Sequence, residues 1–271
     1  VTPPPAQLES RFVEVGGLAV HYRVSLAPQE SRVPAATPLV LVHGLGVSSR
    51  YMIRLAETLA AGRFVYAPDL PGFGRSETPR RPLDVHAQAE LLAAWMPAAG
   101  LERAAFLGHS LGSQVVADLA LNHPHRVTRL VLAAPTIDDA GRSIPRELFR
   151  LLRDVPLEPF ALVPIVARDY LRAGLGRVLR TLRYALADRL ESNLPALDLP
   201  VLVLRGARDP VVSERWSEKV AGLLPQGRLA VVPRAAHALQ FSHPREVAAL
   251  LKDFLDEGLL SLPPASPPSR P

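Results

Sequence analysis

Apolar residues fall along this chain in two rhythms, and the rhythms alternate. Short, almost wholly apolar runs occur at 39–42, 64–67, 104–107, 130–133, 201–204 and 229–232. Such runs are too short for helices and lack a polar face, the pattern of strands buried on both sides of a parallel sheet. Between them, residues 50–61, 84–98, 114–123, 213–224 and 244–256 repeat their apolar positions at helical spacing. Residues 12–15 and 18–24 straddle Gly16-Gly17 and predict a β-hairpin. Alternating strands and helices predict an α/β fold, a doubly wound and mostly parallel sheet.

One interval breaks the alternation. From 136 to 195 no strand-like run appears; residues 144–153, 157–173 and 175–193 are helical in period and rich in Arg and Leu. A helical insertion after the sixth strand would stand above the carboxyl ends of the strands, where open α/β sheets form their ligand crevice. The expected organisation is a core of residues 1–135 and 196–257, a helical cap at 136–195, and a flexible Pro-rich tail at 258–271. Residues 1–8 share the tail's composition.

Composition narrows the function classes. At 271 residues with 48% hydrophobic and 21% charged residues, the chain suits one large globular domain and not a disordered one. No apolar run approaches the roughly 18 residues of a membrane span, and the first residues lack the features of a secretory signal. With no cysteine, disulfides, thiolate metal sites and cysteine nucleophiles are excluded. The expected compartment is the bacterial cytoplasm. A net charge of +5 raises the question of nucleic acid. Lys219 and Lys252 are the only lysines, however, the arginines are scattered, and few aromatics are present to stack bases. No nucleic-acid partner is expected; neither is a cofactor or a metal. Gly44-Leu45-Gly46 fails as a dinucleotide fingerprint because Ser49 stands where a third glycine is required.

The chemistry centres on Gly108-His109-Ser110-Leu111-Gly112, between an apolar strand and a helical run. A Gly-x-Ser-x-Gly element in that setting is a nucleophile elbow, with glycines removing the Cβ atoms that would crowd a strained serine. Serine needs a base, and the base needs an orienting acid. His237 lies on the loop after the last strand, and Asp209 on the loop after strand 201–204. The chain order Ser110, Asp209, His237 is the one this elbow requires. Asp138 and Asp139 are the alternative acids. The other histidines fit local roles: His43 holding its loop, His109 facing away from the nucleophile's side, and His123, His125 and His243 at helix ends. For the oxyanion, the backbone N–H groups of Leu45 and Leu111 are the expected donors. Asp69 in the turn-rich loop 69–76 is expected to satisfy backbone donors.

These residues together resemble the α/β-hydrolase superfamily with a helical cap, over about residues 12–255. The resemblance rests on His43-Gly44-Leu45-Gly46, the 69–76 loop, Gly108–Gly112, Arg205–Asp209 and Ala236-His237. It implies a two-step acyl-enzyme reaction. Epoxide hydrolases and haloalkane dehalogenases place Asp where this chain has Ser110. Carbon–carbon bond hydrolases usually carry Trp after the base, where this chain has Ala238, and Met-Gly-Gly after the serine, where it has Leu111-Gly112-Ser113. Prolyl iminopeptidases have an acidic cap, and this one carries ten arginines between Arg142 and Arg189. The expected substrate is a small-molecule carboxylic ester or lactone. A carbon–carbon bond hydrolase and a non-catalytic ligand-binding member of the fold are the alternatives, and oligomeric state is left open. The cap arginines either meet a substrate carboxylate or form a solvated face paired with Glu147, Asp169 and Asp188.

Overall fold

A computed structural model describes residues 7–26 and 36–256. The expectations for the tail at 258–271 and for residues 1–6 lie outside the described residues. Eight strands form one sheet in the order β1-β2-β4-β3-β5-β6-β7-β8. β1 (Leu8–Val15) and β2 (Leu18–Ser25) are the expected hairpin, antiparallel about the left-handed Gly16 and Gly17. β2 also pairs antiparallel with β4 (Val65–Pro68). The remaining ladders, through β3 (Leu39–Val42), β5 (Ala104–His109), β6 (Val127–Ala133), β7 (Val201–Gly206) and β8 (Gly227–Val232), are parallel. β3, β5 and β7 are buried at every position because helices cover both faces. β8 departs from the uniform burial expected of it. It is the edge strand, and five of its six residues are at least partly exposed.

The helices that follow the strands lie close to expectation: α1 (Ile53–Leu59), α2 (Val85–Ala98), α3 (Leu111–Asn122), α8 (Glu214–Leu223) and α10 (Pro244–Asp256). Asp84 caps α2 by accepting the Ala87 N–H at 2.8 Å, and Ser213 caps α8 by accepting the Trp216 N–H at 3.2 Å. The short α9 (Leu239–Ser242) was not foreseen. Residues 50–61 are also not one helix, because Ser49–Met52 forms a 3-10 turn first.

Between β6 and β7 lie α4 (Ile144–Asp154), α5 (Val163–Ala173), α6 (Leu175–Ala187) and α7 (Leu190–Asn193), with no strand. Two expected helices are broken here. The stretch 157–173 begins as 3-10 turns at Val155–Leu157 and Phe160–Leu162, since Pro156 and Pro159 cannot donate to a helix ladder. The stretch 175–193 divides where Asp188 turns extended (φ −65°, ψ 143°). The insertion is fastened to the core by polar bonds. Ser48 donates to Asp169 at 2.5 Å, Gln114 to Asp188 at 2.8 Å, and Arg177 to the Pro79 carbonyl at 3.0 Å. Asp169 and Asp188 therefore do not form the helix-face arginine pairs expected of them, because both turn inward to core donors. Glu147 does pair with Arg150, at 2.8 Å.

Candidate active site

Ser110 joins β5 to α3 in the left-handed region, at φ 55° and ψ −120°. That geometry is costly for a residue with a Cβ and is characteristic of functional turns. A Cβ on Gly108 would lie 2.2 Å from the Gly112 carbonyl, and one on Gly112 would lie 2.5 Å from the Val42 carbonyl. Only glycine fits either position. Ser113 closes the turn by donating to the Gly108 carbonyl at 2.8 Å. The Ser110 N–H donates to Ala133 at the end of β6, at 2.9 Å.

The structure brings His237 and Asp209 together. His237 Nδ1 stands 2.9 Å from Asp209 Oδ2, and both side chains are buried. The other carboxylate oxygen accepts the N–H groups of Val211 and Val212 at 2.7 and 3.0 Å, so the acid is aimed by its own turn. The two loops are laced by Arg208 N–H to the Ala235 carbonyl at 2.9 Å. Gly206 permits that approach, since a Cβ there would sit 2.2 Å from the Ala236 carbonyl. The negative field of Asp209, reinforced by Asp154 and Glu158, outweighs burial and raises His237 to about 9. No hydrogen bond joins the Ser110 hydroxyl to His237 among the described residues. The two loops still meet at one end of the sheet, with the rings of His109 and His237 4.8 Å apart.

The expectation that His109 faces away is corrected by that contact. His109 Nε2 donates to the His237 carbonyl at 2.9 Å. Ser110 leaves the strand in a left-handed turn, which frees the side chain before it to reach the neighbouring loop. Burial drives His109 well below the ordinary histidine value, so its ring is neutral.

Gly44 lies against Ser110, with the position of its missing Cβ 3.2 Å from Ser110 Cβ. His43 is buried and holds this loop, as expected. The Leu70 N–H donates to its Nε2 at 2.9 Å, so Nδ1 carries the proton and donates to the Gly44 carbonyl at 2.8 Å. In a trans peptide C=O and N–H point in opposite directions. Fixing the Gly44 carbonyl on His43 therefore turns the Leu45 N–H the other way. The Leu111 N–H opens α3, where helical geometry offers it no partner.

Two acids from the insertion were not picked out from the sequence. Asp154 Oδ1 accepts the His237 N–H at 3.1 Å, and Glu158 Oε1 accepts the Ala238 N–H at 2.6 Å. With His109 on the His237 carbonyl, every backbone polar group from His237 N to Ala238 N is held by a side chain. Burial raises Glu158 to about 7 and also pushes Asp154 up. Their only sequence signal is a pair of acids four apart flanking Pro156 in an otherwise basic stretch.

The alternative acids lie elsewhere. Asp138 accepts the Ser213 hydroxyl at 2.5 Å, and Asp139 accepts Lys219 at 2.5 Å and Arg215. Neither bonds His237. His123 pairs with Glu90 at 2.8 Å, and His243 meets the Ser242 hydroxyl at 2.9 Å, both local roles. Asp69 accepts the N–H groups of Ser49 and Arg75 at 2.6 and 2.7 Å and faces His21 at 2.7 Å. These bonds outweigh burial and lower Asp69 to about 2, so it locks the 69–76 loop as expected. No cluster of His, Asp and Glu able to hold a metal occurs among the described residues. No described helix is long and apolar enough to cross a membrane.

Residues 37–162 match the family model described as alpha/beta hydrolase fold, and residues 184–264 match one described as TAP-like protein. The chain is 31% identical over 258 residues to a pimeloyl-[acyl-carrier protein] methyl ester esterase of Neisseria meningitidis serogroup B, covering 85% of this chain and 97% of that one. It is 32% identical over 257 residues to the protein of the same name in Edwardsiella ictaluri, covering 80% and 93%. Among solved structures, a membrane phospholipase A described as a bacterial virulence factor superposes with a TM-score of 0.78 at 26% identity, covering 92% and 86%.

Proposed function

The chain belongs to the α/β-hydrolase fold family and acts on ester bonds, and from this premise we propose that it cleaves small-alcohol esters of medium acyl chains through Ser110, His237 and Asp209. The observation that carries this reading is the buried His237–Asp209 contact of 2.9 Å on the rim where Ser110 turns left-handed. The alcohol side follows the relatives, which are named for a methyl ester on an acyl carrier.

In this mechanism Ser110 Oγ attacks the ester carbonyl carbon while its proton passes to His237 Nε2. The Leu45 and Leu111 N–H groups hold the oxyanion. The carbon–oxygen bond to the alcohol then breaks, and the alcohol leaves with the proton from His237. Water attacks the acyl carbon, giving its proton to His237. Collapse releases the acid and returns the proton to Ser110. Asp209 keeps Nδ1 protonated and stabilises the imidazolium. Residues 136–195 serve as the cap over this rim, supported by the Asp154 and Glu158 bonds to residues 237 and 238.

A panel of methyl esters, lactones and one ring-cleavage dienoate tests the reading. Methyl esters of medium chains are expected to turn over fastest. Turnover of the lactone or the dienoate with no methyl-ester hydrolysis would overturn it.

A further inference from the structure

Away from Ser110, one cavity of about 230 Å³ is lined by five arginines. Arg23 comes from β2, Arg50 from the 3-10 turn, Arg75 from the 69–76 loop, and Arg168 and Arg172 from successive turns of α5. Two carboxylates share the cavity, so five guanidinium groups face two acids. Asp69 is occupied by Ser49 N–H, Arg75 N–H and His21, and Asp169 by the Ser48 hydroxyl. Among the described residues, no carboxylate lies within ion-pair reach of Arg23, Arg50, Arg168 or Arg172. Arg75 donates instead to the Ser10 hydroxyl, at 3.2 Å.

Arg23 is the clearest sign of a missing partner. Its Nε is buried and bonds nothing. Burial, and then the charges of Arg50 and Arg75, lower its pKa against the pull of Asp69. A half-buried guanidinium among like charges is unfavourable unless an anion neutralises it. Ser49 lies on the same wall.

We propose that this cavity binds a phosphoryl dianion, held between Arg23 and Arg50 of the core and Arg168 and Arg172 of the insertion. Donors reach the space from three parts of the chain, which suits a tetrahedral group with oxygens in several directions better than a planar carboxylate. The site lies on the seam of the molecule. Tyr170, on the same helix as Arg168 and Arg172, covers Gly46, where a Cβ would be 2.5 Å from its ring. A bound dianion therefore fastens α5 to the loop that carries Leu45. The inference does not depend on the ester chemistry.

Calorimetric and thermal-unfolding titrations of the wild-type protein test it, with inorganic phosphate and sn-glycerol 3-phosphate at constant ionic strength. Saturable binding below about 10 mM with a rise in Tm is expected. The Arg23→Gln/Arg50→Gln variant should lose about tenfold or more in affinity, while Arg103→Gln behaves as wild type. Arg23→Gln alone should raise Tm in phosphate-free buffer, because it removes an unpaired charge; a purely structural arginine would lower it. Tighter binding of the glycerol ester identifies the phosphoryl end of an organic phosphate as ligand, and equal binding identifies free phosphate. The proposal is overturned if neither compound binds, or if the double variant and wild type bind alike. Should the double variant fail to fold, Arg168→Gln/Arg172→Gln on the exposed face of α5 provides the same comparison.

Discussion

The sheet core and the helical insertion are built on opposite principles. In the core, β3, β5 and β7 are wholly buried and backbone meets backbone: Gly206 against Ala236, Gly112 against Val42. In the insertion, large apolar side chains face outward, with Leu152 69%, Leu171 84% and Phe160 87% exposed. Side-chain hydrogen bonds fasten it to the core below, several of them to carboxylates. The core sets the geometry of Ser110, His237 and Asp209 by packing that tolerates no change. The insertion adds Asp154 and Glu158, which hold the backbone at His237 and Ala238 and whose charges help raise His237. In the proposed reaction, the chemistry resides in the rigid part and its adjustment in the other.

Asp209→Asn is expected to have the largest effect on the core's share of the reaction. The amide cannot hold the His237 tautomer, and turnover should fall by about 10³–10⁴ with the circular-dichroism spectrum unchanged. Near-normal turnover would remove Asp209 from the mechanism. Gly206→Ala comes next, since its methyl would meet backbone carbonyls that cannot move without separating the two loops. A loss of about 3 kcal/mol in denaturant titration is expected; a neutral result would mean the loops are looser than described.

Subtler tests sharpen the insertion's share. His237 must be neutral to act as a base, so kcat/KM should rise along an alkaline limb toward the raised value of about 9. The groups that set this limb are Asp209 and, from the insertion, Asp154 and Glu158, with neutral His109 behind. Glu158→Gln keeps an acceptor for the Ala238 N–H but removes a charge. The limb should move to lower pH by a fraction of a unit to about one unit, with KM little changed. An unmoved limb would reduce Glu158 to a structural tie.

Stability gives the smallest signal. His237 is raised from 6.5, so its stabilising contribution is full below 6.5 and lost as pH rises through about 9. Glu158 is raised from 4.5, so its burial favours the folded state below 4.5 and ceases to do so through about 7. Wild-type Tm should therefore decline from acid toward alkaline pH. Glu158→Gln should flatten the decline between 4.5 and 7 while leaving the part up to 9. A parallel decline in both proteins would contradict the Glu158 assignment.

How far the sequence could be read follows the same division. Core strands announce themselves because burial on both faces leaves only apolar residues, as in Leu39–Val42. The chain order Ser110, Asp209, His237 predicts an acid beside His237 and a serine at a strand-to-helix turn, and the structure has both the His237–Asp209 contact and the left-handed Ser110. In the insertion, helical period survives; the breaks at Pro156 and Pro159 follow from proline's missing N–H, whereas the one at Asp188 accompanies a contact with Gln114, distant in sequence. Asp169 and Asp188 looked like partners of helix arginines, and only the fold shows that they face Ser48 and Gln114. Asp154 and Glu158 carry no motif, since what they hold is backbone more than 75 residues away.

The proposed hydrolysis needs an activated Ser110, which a fluorophosphonate probe detects by covalent labelling. Labelling of the folded protein should map to Ser110 by peptide mass, vanish in Ser110→Ala, and slow sharply in His237→Ala. Absence of labelling in folded wild-type protein, or a label on another residue with Ser110 unmodified, would contradict the proposed hydrolysis.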